Sequence, residues 1–288
     1  MSSGSGTCHD TGRGSWYWMF EYRLSFFLEN DFAVYTSIRM KLRRLKFGPG
    51  SLSRLVGVYL EAFCLVLAFT VPASSHAQVP PSPAERAAYA GLHAAAWSGD
   101  AEQINKLLAQ APDRTKALES RDARERTPLH VAAFASKPAA MKALVAAGAN
   151  PNALEADRYD VLTIAAVAND LEVLKTALAL GCKPDNITSR YDGTALIAAA
   201  HLGNHESVEI LIKAGAPVNH VNNLGWNALI ESVALGDGGL RHQKTMSLLL
   251  DGGADVQRTD YQGARPLTLA RALGYSAMVR MLEAAERK

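Results

Sequence analysis

The sequence predicts an all-α solenoid of about six stacked helix-turn-helix units with short β-hairpin-like tips, and three observations carry that prediction. A leucine-led apolar stretch recurs at Leu92, Leu129, Leu162, Leu196, Leu229 and Leu267, with spacings of 37, 33, 34, 33 and 38 residues. Seven residues beyond each leucine stands Gly99, Ser136, Asn169, Gly203, Gly236 or Gly274; glycine and asparagine tolerate the left-handed backbone that ends a helix. A second apolar run then places Leu107, Leu144, Ala177, Leu211, Leu249 and Leu282 in equivalent positions. The composition agrees, being 48% hydrophobic but only 7% aromatic. Alanine, the best helix former, supplies much of the apolar share.

The first unit opens at Gly91-Leu92-His93-Ala94-Ala95-Ala96 and ends in a long connection from Ala111 to Glu125. In the next three units the second helix should stop at Gly148, Gly181 and Gly215, nineteen residues after the leucine. Extended segments such as Asn150-Pro151-Asn152-Ala153 and Pro217-Val218-Asn219-His220 then lead on. The unit anchored at Leu229 carries five extra residues around Gly236-Asp237-Gly238-Gly239-Leu240-Arg241-His242, which postpones its stop to Gly253. A surface loop accepts such an insertion cheaply; the competing reading is a contact point. The last unit is truncated and charged at Arg280, Glu283, Glu286, Arg287 and Lys288, as a solvent-facing cap requires. Small residues at Ala132, Ala133, Ala165, Ala166, Ala199 and Ala200 let neighbouring helices approach closely, so one continuous core is shared by units that could not bury their apolar faces alone.

Arg126-Thr127-Pro128-Leu129-His130-Val131-Ala132 resembles the T-P-L-H-x-A signature of ankyrin repeats at their period of about 33 residues. Gly148-Ala149-Asn150-Pro151-Asn152 is similar to the family's passage from helix to hairpin. The resemblance runs from about Ala84 to Lys288. It implies a protein-interaction module in which tips and first helices line a concave surface, and the signature histidine bonds neighbouring units. Histidine stands there only as His93 and His130, replaced by Thr163, Ile197, Ile230 and Thr268, so four junctions are expected to hold by packing or by other bonds.

Ahead of the repeats, Lys41, Arg43, Arg44, Lys46 and Arg54 precede an apolar run from Leu55 to Val71, followed by Pro72-Ala73-Ser74-Ser75-His76-Ala77-Gln78. Basic residues, an apolar core and small residues at Ser75 and Ala77 are the parts of a secretory signal peptide. Cleavage is expected between Ala77 and Gln78, delivering a periplasmic or secreted protein. The alternative is an uncleaved membrane tether, but the run is interrupted by Glu61 and is short against the roughly 20 apolar residues that span a bilayer. On this reading residues 40–77 form the signal peptide, 78–88 a linker and 89–288 the repeat domain. Residues 1–39, rich in Gly and Ser with scattered aromatics, precede a second candidate start at Met40 and read as a non-native or disordered extension.

From Gln78 onward 22 Lys and Arg face 23 Asp and Glu, so no electrostatic footprint for nucleic acid is present. Of the three cysteines only Cys182 would survive processing, and its place after Gly181 suggests a partly buried structural thiol. His201 and His205 stand four apart beside Glu206, which suggests a metal-handling or enzyme-accessory role. Gly203 between them breaks the helical geometry that would bring both onto one face, and a zinc site needs three or four placed ligands. Gly236-Asp237-Gly238-Gly239 supplies one carboxylate where a calcium loop needs several. Neither a catalytic residue, a cofactor, a metal nor a small-molecule substrate is inferred.

The candidates for partner contact are Tyr159, Arg190, Tyr191, Trp226 and Tyr261, all on the polar segments joining one unit to the next. Tyr, Trp and Arg dominate interface hot spots, and a row of them on adjacent tips would face a protein partner. The competing reading packs them locally over the stacked tips. The function expected is a non-catalytic scaffold that binds another protein.

Overall fold

The computed structural model describes residues 78–287. The expected extension at 1–39 and signal peptide at 40–77, including Ala77, lie outside the described residues. The chain divides into units 1–79 and 80–288, and the repeats occupy the second.

The segment expected to be a linker contains a helix, α1 (Pro83–Ala88). Ser82 and Glu85 close it as a capping box: the Ser82 hydroxyl accepts from the Glu85 amide at 3.2 Å, and the Glu85 carboxylate accepts from the Ser82 amide at 2.7 Å. Reciprocal caps of this kind satisfy two otherwise orphaned donors, which explains how so short a segment becomes ordered.

Six helical pairs follow. They are α2 (Gly91–Ser98) with α3 (Ala101–Gln110), α5 (Pro128–Phe134) with α6 (Pro138–Ala146), and α7 (Val161–Ala168) with α8 (Leu171–Ala179). Then come α9 (Ala195–His201) with α10 (His205–Lys213), α11 (Ala228–Ala234) with α12 (Leu240–Asp251), and α13 (Pro266–Ala272) with α14 (Ser276–Ala285). The connection from Ala111 to Glu125 is not plain loop, since α4 (Arg114–Leu118) forms within it under an Asp113 cap.

Each first helix packs on the first helix of the next pair, and second helices stack likewise. The leucine anchors and the alanines at the seam, Ala132, Ala166 and Ala199 among them, are buried. So are Leu144, Ala177, Leu211, Leu249 and Leu282 on the second helices. In the first pair the burial passes from the expected Leu107, half-buried, to Ile104 and Leu108. Among the described residues no strand is assigned and one isolated antiparallel bridge, Thr188 with Gly193, is present; the hairpin-like tips are turns.

First helices end in the left-handed region at Gly99, Ser136, Asn169, Gly203 and Gly274. Gly236 departs from the series. There the five extra residues divide: α12 begins eleven residues after its leucine anchor, where other pairs need nine, and runs for twelve residues in place of nine. The left-handed turn moves to Gly238 (φ +72°), where a Cβ would come within 2.4 Å of the Tyr275 ring. The insertion is therefore an ordered turn plus most of a helical turn. Tyr275 Oη donates to the Gly236 carbonyl at 2.7 Å, His242 Nδ1 lies 2.8 Å from Asp237 Oδ1, and Leu240 at its crest is 75% exposed.

Candidate protein-binding surface

Five tips join the six pairs, and one side-chain oxygen clasps each of them. Asp122 Oδ1 accepts from the amides of Arg124 and Arg126, both at 2.9 Å. Glu155 Oε1 accepts from Asp157 and Tyr159 at 3.0 and 3.1 Å. Asn222 Oδ1 takes Leu224 and Trp226, both at 3.0 Å, and Asp260 Oδ1 takes Gln262 and Ala264 at 2.9 and 2.8 Å. Ser189, with a shorter side chain, takes Tyr191 at 3.2 Å. Such clasps give buried amides an acceptor inside a turn. Three residues past each clasp the backbone is left-handed, at Glu125, Arg158, Asp192, Gly225 and Gly263.

Adjacent tips are laced together. The amides of Ala156, Ser189 and Asn223 donate to the carbonyls of Arg124, Arg158 and Tyr191 at 3.1, 2.9 and 2.9 Å. His130 Nε2 lies 3.0 Å from the Ala153 carbonyl and 3.2 Å from that of Tyr159, while Nδ1 accepts from the Thr127 amide at 3.2 Å. The neutral ring suits that pattern, and burial pushes the imidazole down to about 4. His93 repeats the bridge to the Arg126 carbonyl at 3.0 Å. Where histidine is missing, Thr163 Oγ1 donates to Thr188 Oγ1 at 3.2 Å, and His220 Nε2 lies 2.7 Å from the Asp192 carbonyl.

The clasp sets a common frame for the expected contact residues. The fourth position beyond it is buried at Arg126, Gly193 and Trp226 and half-buried at Tyr159 and Ala264; the first is exposed on every tip, and the second is half-buried on four of the five. Trp226 is only 5% exposed, so it belongs to the core and is withdrawn as a contact residue. Tyr159 is half-buried, and burial pushes its hydroxyl up to about 12. Arg190 is exposed and Tyr191 half-buried on one tip, Tyr261 is 69% exposed on another, and exposed Asn223 stands on the tip between them. The Asn223 amide group donates to the Arg190 carbonyl at 3.0 Å, and Arg158 Nη1 pairs with Asp192 Oδ1 at 3.3 Å. Sequence inspection singled out the aromatics and passed over the clasps, although an oxygen-bearing side chain at 122, 155, 189, 222 and 260 follows the repeat period.

The other chemical candidates are separately accounted for. Cys182 is buried, its thiol pushed up to about 12 by burial, and Sγ donates to the Pro151 carbonyl at 3.2 Å. His201 ends α9 and His205 begins α10, with Gly203 left-handed between them. Their carboxylate neighbours differ: Glu231 lies 3.6 Å from His201, and Glu206 3.2 Å from His205. Among the described residues no group of three His, Cys, Asp or Glu side chains is placed to hold a metal ion. None of the described helices is long and apolar enough to cross a membrane.

The family model for ankyrin repeats (3 copies) matches residues 92–188 and 162–260. The chain belongs to the ankyrin repeat family. The ankyrin repeat protein YahD of Escherichia coli K12 is 33% identical over 193 residues, covering 66% of this chain and 93% of that one. A crystal structure of an ankyrin repeat domain from Acinetobacter baumannii AYE superimposes with a TM-score of 0.62 at 38% identity, covering 68% of this chain and 97% of the other. The ankyrin repeat domain of Bcl-3, a member of the IkappaB family, gives 0.61 at 28% identity over 69% of this chain and 86% of its own. Membership makes the stack an ankyrin protein-interaction domain, and the clasped tips are the ankyrin turns on which its exposed side chains stand.

Proposed function

We propose that this ankyrin domain is an exported, non-catalytic scaffold that holds a protein partner along the tips bearing Arg190, Tyr191, Asn223 and Tyr261. One observation carries the reading: a repeated clasp fixes the tips and leaves Arg190, Asn223 and Tyr261 exposed on successive repeats, with Tyr191 half-buried beside Arg190. Tyrosine and arginine on a preorganised backbone bury large contact area at small entropic cost. Export rests on the basic and apolar segments before Gln78, and intact-mass measurement of secreted protein tests it. A product beginning at Gln78 supports it; one that retains Glu61 refutes it. For binding, the triple variant Arg190→Ala, Tyr191→Ala, Tyr261→Ala should capture the partner from an extracytoplasmic extract at least tenfold more weakly, about 1.4 kcal/mol, with unchanged helical content. Undiminished capture by the triple variant refutes the assignment of the tips.

A further inference from the structure

Two positions beyond the leucine anchor, five of the first helices carry Ala94, Val131, Ile164, Ala198 and Leu269; α11 carries Glu231. The seam of the stack is otherwise apolar there, with Val131, Ile164 and Leu269 buried. Glu231 is buried as well, at 4% exposure. Its Oε1 lies 3.6 Å from Nδ1 of His201, the last residue of α9, so the pair spans the junction between the fourth and fifth repeats. The Asn222 side chain, which clasps the tip leading into α11, is the neighbour that favours its ionised form. Oε2 has no hydrogen-bond partner among the protein groups.

On the other elements packed against α11, Lys244 of α12 is exposed, and His242, Arg241 and Arg271 are engaged elsewhere. His242 of α12 lies against Asp237 and the His201 carbonyl, at 2.8 and 2.9 Å. Arg241, beside it, donates to Asn204 Oδ1, and Arg271 of α13 pairs with Glu283 at 2.7 Å. The ion-pairing partner given to Glu231 among the described residues is thus His201 itself.

We propose that the His201–Glu231 pair is a proton-operated seam: while it holds a proton the fourth and fifth repeats stay locked, and when the proton leaves, the fifth and sixth repeats loosen from the rest. With one proton, the pair is either imidazole against carboxylic acid or imidazolium against carboxylate. Both are neutral overall and tolerable in a low-dielectric seam. Without it, a carboxylate remains buried with no cation against it, which is strongly disfavoured. Burial pushes Glu231 up to about 8 from its ordinary value of 4.5. With the seam open, an ordinary imidazole holds the proton below about 6.5. Only between about 6.5 and 8, therefore, does the folded seam bind a proton that the opened seam lacks. The seam weakens as pH rises through that window and changes little above it. Repeats couple mainly to their neighbours, so opening here releases α11 to α14 and Tyr261 while α5 to α8 stay folded.

Hydrogen exchange followed by mass spectrometry on the full chain, expressed as protection factors to remove the intrinsic pH dependence of exchange, tests this directly. Between pH 5.5 and 8.5, protection of 228–285 should fall at least tenfold relative to 128–180. Glu231→Gln, which is neutral and of the same shape, should abolish that selective loss. Should Glu231→Gln fail to fold, Glu231→Val, with the side chain found at Val131, serves in its place. Equal loss in both segments, no loss in either, or the same selective loss in the neutral variant would overturn the proposal.

Discussion

Arg126 and Glu85 meet across 41 residues of sequence, the guanidinium of a tip residue donating to the carboxylate of the leading helix. Arg126 is 1% exposed, and its Nε also donates to Asp122 Oδ2 at 2.7 Å, an oxygen that accepts from Tyr89 Oη at 2.9 Å. A cation this deep is tolerable because two carboxylates surround it. Asp122→Asn keeps an oxygen for the turn but removes the charge, and should cost on the order of 3–5 kcal/mol, as when one partner of a buried pair is deleted. Arg126→Met, which removes the cation and fills its space, should cost clearly less. Denaturant unfolding of both variants checks the order; a reversed order would mean that the guanidinium acts by packing and its charge is incidental.

His130 makes the fold acid-sensitive. Its folded value near 4 lies below the ordinary 6.5 or so, so between these values the unfolded chain binds the extra proton. Stability is then fully present above about 6.5 and is lost as pH falls through 4. The integrated contribution is on the order of 3 kcal/mol. Urea midpoints measured from pH 7 down to pH 4 should decline more steeply for the native chain than for His130→Gln.

Position along the stack decides how a core truncation is felt. Leu196 and Leu267 are equivalent buried anchors, yet only Leu196 has repeats on both sides that rest on others in turn. Leu196→Ala should lower the main melting transition by about 2–5 kcal/mol. Leu267→Ala should broaden the transition or split off an early phase, because the last pair frays without unfolding the rest. Calorimetry distinguishes the two, and identical sharp transitions would count against nearest-neighbour coupling.

The tip frame separates two tyrosines that the sequence presents alike. Tyr159→Ala removes a half-buried ring at the fourth position beyond the clasp and should cost about 1–3 kcal/mol of stability, with capture of a partner retained. Tyr261→Ala removes a ring 69% exposed and should leave stability within about 0.5 kcal/mol while weakening capture. Paired measurements of melting temperature and binding on both single variants read this out.

Cys182 should behave as an inert core group. With its thiol held near 12 by burial, the reactive thiolate is scarce at pH 8. Iodoacetamide labelling of native protein should be many-fold slower than of urea-unfolded protein. Comparable rates would show a thiol accessible in the folded state.

The repeat register, the helix pairs and every first-helix stop but the one expected at Gly236 were legible in the sequence, since leucine anchors and left-handed stops are local signals recurring at one period. Less legible was anything dependent on which way a tip residue turns. Tyr159, Tyr191, Trp226 and Tyr261 are alike in type and neighbourhood, and only the clasp position assigns Trp226 to the core and Tyr261 to solvent. The helix at Pro83–Ala88 was hidden for a different reason. Its Arg126 partner lies 41 residues away, and six residues without a buried apolar face give no periodic pattern. At the fifth repeat the glycines suggested a plain loop, because chain-local reading does not reveal that Tyr275 of the next repeat fixes Gly236.

The clasp also shapes how this surface can change. Its work is done by one oxygen and a left-handed residue per tip, and neither restricts the exposed side chain that directly follows the clasp. Ala123, Ala156, Arg190, Asn223 and Tyr261 already sample apolar, cationic, amide and aromatic character on one backbone. Exposed slots of this kind change at little cost to folding, so the scaffold can be retuned to a new partner by exchanging one residue per tip while Asp122, Glu155, Ser189, Asn222 and Asp260 keep every tip in shape.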